Sequence, residues 1–182
     1  MNDINRSTRY SALAIGMHWL MLLLLVAVYA AMELRGFFPK GGPERAALSH
    51  WHFMLGLSVL LLVIVRLTVR LSGQAPSILP PPPRWQRRMA GLLHFALYAL
   101  MIAMPILGWY LLSAAGKPIP FFGLEVTPLL AKDKALAGQI KEVHETLAAV
   151  GYYLIGAHAA AALFHHYVQR DNTLRRMLPF RT

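Results

Sequence analysis

Long apolar runs alternate with short polar connections along this chain. Four runs stand out, at residues 11–32, 51–69, 89–115 and 146–168. A hydrocarbon core of ~30 Å takes about 20 helical residues, so each run is long enough to cross one. The expected fold is all-α, a bundle of four transmembrane helices. Little sequence remains between the runs for a soluble domain, so residues 1–182 are expected to form a single integral membrane domain. Composition agrees, with 57% hydrophobic and 14% charged residues, where soluble chains carry about 25% charged.

Arg6 and Arg9 precede the first run, and Val28-Tyr29-Ala30 is a loose match to a signal cleavage site. The apolar core of a signal peptide is only about 7–15 residues long. This run is longer and carries His18-Trp19 near its start, so it is expected to stay as a helix.

The net charge of +10 is unevenly placed. The N-terminus, residues 66 to 88 and the C-terminal tail together hold eleven Lys/Arg against two acids, while the other two connections hold seven against six. Arginines at positions 6, 9, 66, 70, 84, 87, 88, 170, 175, 176 and 181 make up the excess. Positive charge collects on the cytoplasmic side, which puts both termini in the cytoplasm. These arginines are expected to anchor to lipid headgroups, with no nucleic-acid role. No cysteine is present, which excludes disulfides and thiolate-held metals or clusters.

The connection SGQAPSILPPPPRWQRR contains four consecutive prolines, Pro80 to Pro83. It is expected to run extended along the cytoplasmic surface with Trp85 at the interface. Gly41-Gly42-Pro43 breaks the connection from Arg35 to Ser49. The longest connection, Gly116 to Val143, ends in charged sequence that can start the last helix before it enters lipid.

The stretch HETLAAVGYYLIGAH, residues 144–158, has a histidine at each end. Fourteen helical residues span about 21 Å and return to within about 40° of the same face. With the helix directions above, His18 and His158 lie in the cytoplasmic half, and His52 and His144 in the outer half. Ionisable groups inside membrane helices are rare and functional by default. A pair of imidazoles is too few for structural or catalytic zinc, which takes three or four protein ligands. Haem needs only two axial ligands, and facing helices of a bundle are a natural place to hold it. The expected cofactors are two b-type haems with bis-histidine axial ligation of the iron, one on His52 and His144 and one on His18 and His158. Gly16, Gly56, Gly151, Gly156 and the run Ala159 to Ala162 either leave room for a macrocycle or serve plain helix packing.

The segments HWL at His18, MELRGFFP from Met32, VHETLAAVGYYLIGAHAAAALFHHY from Val143 and DNTLRRMLP from Asp171 closely resemble the bacterial cytochrome b561 family, and the resemblance runs over essentially the whole chain. It implies an inner-membrane, multi-pass di-haem protein. In the family's superoxide-oxidising members, electrons pass from superoxide at the periplasmic face to ubiquinone. The family's haem ligands fall on His18, His52, His144 and His158. In the second run HWHFMLG offers both His50 and His52, and the spacing to Gly56 and Arg66-Leu67 favours His52. A quinone near the inner haem needs a hydrogen-bond donor and a proton route, so His94 and His165 are expected at a ubiquinone site, with His166 facing elsewhere because adjacent helical residues diverge by about 100°. The bland alternative for these three is interfacial anchoring. Arg35 and Lys141, flanking the outer ends of the first and last runs, are expected to steer superoxide. The implied partners are the lipid bilayer, superoxide and ubiquinone, with no obligate protein partner. Two rival readings stand beside this one: a cytochrome b subunit linking a dehydrogenase or hydrogenase to the quinone pool, on a similar four-helix, two-haem plan, and a non-enzymatic membrane carrier whose histidines bind haem or metal transiently.

Overall fold

A computed structural model describes residues 9–180. Arg6 and Arg181 of the charge pattern lie outside the described residues. Helix α1 spans Ala12–Arg35, α2 Pro43–Ser72, α3 Arg84–Ala115 and α4 Lys134–Phe164, the last continuing through one π-helical turn, His165–Gln169. All four are long and apolar enough to cross a membrane. Between α3 and α4 lies a two-stranded antiparallel hairpin, β1 (Pro120–Phe121) and β2 (Leu124–Glu125). A short 3-10 turn, Arg175–Met177, closes the chain.

Capping chemistry sets the helix ends, so the helices are longer than the apolar runs. Ser11 caps α1, its hydroxyl accepting from Ala14 N at 3.2 Å. Pro43 opens α2 at a position where a missing N–H costs nothing, eight residues before the apolar run begins. Helix α3 starts immediately after the last of the four prolines, with Pro83 as its N-cap. Asp133 caps α4 by accepting from Ala135 N and Leu136 N, thirteen residues before the apolar run. At the end of α3, Gly116 takes a left-handed φ of 64° and returns its N–H to Leu112 and Ser113.

The hairpin loop, Phe122-Gly123, has both residues at positive φ, as a two-residue turn between twisted strands requires. The connection closes on itself at the hairpin base and is stitched to α3. Val126 N donates to Ile119 O at 2.8 Å, Trp109 Nε1 to Thr127 O at 3.0 Å, and Asp133 N to Ala114 O at 2.9 Å.

A buried cluster of Met21, Val59, Val63 and Met101 brings α1, α2 and α3 together. Helix α4 buries only Ala137 and Gly151. Gly151 has a specific reason to be glycine: an added Cβ would lie 2.1 Å from Tyr29 Oη and 3.0 Å from Leu100 Cδ2. Tyr29 uses that space to donate to Ala148 O at 3.0 Å, tying α1 to α4. Gly151 thus serves helix packing, making room for a tyrosine. Gly151→Ala is expected to cost about 1–3 kcal/mol through overpacking. Thermal unfolding in detergent, followed by circular dichroism, checks this; an unchanged midpoint counts against the contact.

At the end that carries both termini, three distant segments are knitted together. Asn172 accepts from Leu79 N at 2.9 Å, and its own N–H and amide donate to Leu79 O and Ser77 O. The Arg176 guanidinium donates to Pro76 O and lies against the Tyr10 ring. Trp19 Nε1 donates to Met177 O at 2.8 Å, and Arg9 donates to Leu178 O and Phe180 O. Arg176 is buried, so it and Arg9 fasten chain to chain where the charge pattern suggested headgroup anchors. Trp85 is exposed.

Candidate functional site

Each helix puts its notable residues on one face at steps of seven. On α1 the face runs His18, Leu25, Met32; on α2, His52, Val59, Arg66; on α3, His94, Met101, Gly108; on α4, His144, Gly151, His158, with His165 next in the turn that continues it. Seven residues are nearly two turns, so the side chains stack in levels about 10 Å apart. Because α1 and α3 run opposite to α2 and α4, the levels meet. One level gathers His52, Gly108 and His144; another, towards the termini, gathers His18, Arg66, His94 and His158.

At the first level the His52 and His144 ring centres are 6.3 Å apart at an interplanar angle of 75°. His52 Nδ1 lies 3.1 Å from Val28 O. It therefore carries the proton and donates, which leaves Nε2 as a lone pair. His144 Nδ1 is buried without a hydrogen-bond partner. The rings open on a cavity of about 630 Å³ whose lining draws on all four helices and includes Gly56, Gly108 and Gly138. An added Cβ at Gly56 or Gly138 would meet no atom within 4 Å, and one at Gly108 would sit 3.6 Å from His144 Cε1. His50 is exposed on α2.

At the second level the His18 and His158 centres are 6.2 Å apart at 70°. His94 is 5.2 Å from His158 and its Nδ1 donates to Ala90 O at 2.6 Å. His94 was expected near the start of its helix. Because α3 begins at Arg84, it lies ten residues in and packs against His158, so interfacial anchoring does not describe it. Arg66 also departs from expectation. Counted among the headgroup arginines, it turns into the bundle, donating from Nη2 to His18 Nδ1 at 3.0 Å and from Nε to Tyr98 Oη at 3.2 Å. Its signal in the sequence is its fourteen-residue spacing from His52, the same spacing that separates His144 from His158.

Do these pairs suit a haem? A metal–imidazole bond is about 2 Å and the ring centre lies about 1 Å behind the nitrogen, so axial imidazoles on opposite sides of one iron have centres about 6 Å apart. Both pairs have that separation. The His52–Val28 contact is the outer hydrogen bond that a metal-ligating imidazole usually makes. Among the described residues, no three His, Asp or Glu side chains converge as a bare metal ion would need. The donor set fits a macrocycle that brings its own equatorial nitrogens.

The cavity mouth carries Arg35, Lys117 and Lys141 together with Glu33 and Glu145. Arg35 is half-buried and donates to Ser49 Oγ at 3.3 Å. Lys141 is exposed and paired with Glu145 at 2.9 Å. Tyr152 donates to Glu33 Oε1 at 2.7 Å and its ring centre lies 4.4 Å from that of Tyr29.

His165 sits in the π-helical turn with Nδ1 2.5 Å from Asp171 Oδ2. His166 Nδ1 is buried without a partner, and its ring packs on Tyr167. Burial would raise the Asp171 carboxyl pKa, but the hydrogen bonds from His165 and Thr173 outweigh it and hold the group below its ordinary 3.8. A depressed carboxyl contributes stability above its unfolded pKa and loses it as pH falls through the folded value. Asp171→Asn is therefore expected to lower the thermal midpoint at pH 7, with the gap to wild type closing below about pH 4. Melting curves at both pH values check this, and a gap independent of pH contradicts it.

Comparison with known proteins adds three findings. Residues 9–180 match the family model described as prokaryotic cytochrome b561. The chain is 46% identical over 173 residues to "Cytochrome b561 homolog 1" of Escherichia coli (strain K12), covering 95% of this chain and 98% of that protein. It is 39% identical over 171 residues to "Probable superoxide oxidase CybB" of Yersinia pestis, covering 94% of this chain and 96% of the relative.

Proposed function

This chain belongs to the prokaryotic cytochrome b561 family of haem-binding, multi-pass membrane electron-transfer proteins, and on that premise we propose that it oxidises superoxide at the periplasmic face of the bacterial inner membrane and reduces ubiquinone near the cytoplasmic face. The supporting observation is the pair of imidazole pairs, 6.3 Å and 6.2 Å between ring centres, at two depths of one bundle. His52 and His144 would hold an outer haem b, His18 and His158 an inner one. Held by these residues, such haems would supply one-electron carriers. The printed name of the Yersinia pestis relative supports the choice of substrate.

The chain's own residues do the rest. Two superoxide anions yield two dioxygen molecules and two electrons; one ubiquinone takes these with two protons to become the quinol. No bond to the protein forms. The cations of the outer mouth attract the anion and raise its encounter rate. His94 and His165 are assigned to the quinone, where an imidazole N–H can donate to a carbonyl and pass on a proton.

Purified protein mixed with a superoxide source, with haem absorption followed before and after adding ubiquinone, tests this reading. Rapid haem reduction and then reoxidation by ubiquinone is expected. Haem that quinol reduces and superoxide does not would overturn it and favour a dehydrogenase-linked cytochrome subunit. In the same assay Arg35→Gln is expected to slow the superoxide step by roughly 3- to 10-fold at low salt, an effect fading as ionic strength rises. Lys141→Gln should do less, because Glu145 already offsets its charge. Equal effects would remove Arg35 from its preferred role.

A further inference from the structure

Arg66 lies half-buried in α2, six residues before the helix ends. Its donors go to two neutral groups, His18 Nδ1 and Tyr98 Oη. One turn on, the Arg70 guanidinium lies 5.6 Å from the centre of the same Tyr98 ring. Among the described residues the Lys or Arg side chain paired with a carboxylate is Lys141, on Glu145, so neither arginine has a carboxylate partner. Two guanidiniums and three imidazoles are thus gathered with no anion. Charges at membrane depth pair with opposite charge, because leaving them unpaired is costly.

Tautomer chemistry sharpens the point. An imidazole that ligates a metal through Nε2 keeps its proton on Nδ1 and donates it, as His52 donates to Val28 O. His18 is set the other way, since Arg66 donates to its Nδ1 and a neutral ring then carries its proton on Nε2. Ligation by His18 Nε2 and the Arg66–His18 hydrogen bond exclude each other. Ligation therefore hands the Arg66 donors to another acceptor at this level. A guanidinium fork matches a carboxylate in plane and spacing.

We propose that Arg66, steadied by Tyr98, is the clamp for a propionate carboxylate of the haem held between His18 and His158. Arg70 stands at the same edge as the second cation. The proposal rests on the two-haem reading above. A lipid phosphate is the other oxyanion with suitable chemistry at this end of the bundle, and the test separates the two.

Wild type, R66Q and R66K are purified with haem and counted for haem per chain. Each is then stripped and reconstituted with protohaem or with haem dimethyl ester, whose carboxylates are masked. Esterification should weaken binding at the inner level of wild type by about 10- to 100-fold, as expected for a charge-assisted hydrogen bond. In R66Q the same esterification should change binding less than about threefold, because the partner is already gone. R66K, which keeps the charge, should recover part of the penalty and supplies the comparison if R66Q does not fold. An equal ester penalty in wild type and the variants overturns the proposal. So does a loss of lipid phosphorus in R66Q with the ester penalty intact, which would assign Arg66 to a lipid. A wild-type count of one haem per chain would instead overturn the two-haem reading beneath it.

Discussion

Replacing His158 with alanine is expected to leave one haem per purified chain and to cut ubiquinone reduction by more than about 100-fold. The magnitude follows from ligation: an outer-shell partner alone is worth about 10- to 100-fold in metal affinity, and the ligand itself is worth more. His158 faces His18 at 6.2 Å across the level nearest the termini, so the change acts there and leaves His52 and His144 in place. The haem that remains should still be reduced by superoxide. His94 lies 5.2 Å from His158 and is the one neighbouring imidazole able to substitute, so His94→Ala/His158→Ala is made alongside. Haemochrome counting and stopped-flow spectra decide the matter. Two haems retained in both variants, or ubiquinone reduction at the wild-type rate, would sink the assignment of His158.

His52→Ala should remove the outer haem and slow superoxide oxidation by a similar factor of about 100 or more, whereas His50→Ala should stay within about twofold of wild type. Two residues along a helix turn the side chain by about 200°, so only one of these rings can face the cavity. His52 does, with Nδ1 donating to Val28 O and the His144 ring opposite. His50 is exposed. The prediction is therefore a contrast between neighbours of the same chemistry, which separates ligation from a general loss of histidine. Haem loss in His50→Ala with retention in His52→Ala would reverse the choice.

The four membrane-crossing segments were legible because a run of apolar residues and the need to satisfy backbone groups in lipid leave little freedom. Their ends were not, because Pro43, Pro83 and Asp133 set them through capping and backbone geometry, outside the apolar sequence. That error carried into the site. Starting α3 at residue 89 put His94 at the surface; starting it at Arg84 brings the ring to His158. The approach of His18 to His158 and of His52 to His144 could be read from helix direction and depth. Arg66 was missed because arginines were counted as charge on one side, and counting discards the face on which a residue lies. The hairpin at Pro120–Glu125 was missed as well. Two residues per strand carry no period to detect, and its place depends on bonds to Trp109, Ser113 and Ala114 far away in sequence.

The knot of backbone and side-chain bonds beneath the bundle joins residues made at very different times. Pro76, Ser77 and Leu79 leave the ribosome nearly a hundred residues before Asn172 and Arg176, the groups that bond them. Until Asn172 and Arg176 are synthesised, those partners do not exist and this end of the protein stays unlatched. Biogenesis is thereby ordered: all four helices can be threaded into the bilayer first, and the floor is fastened last.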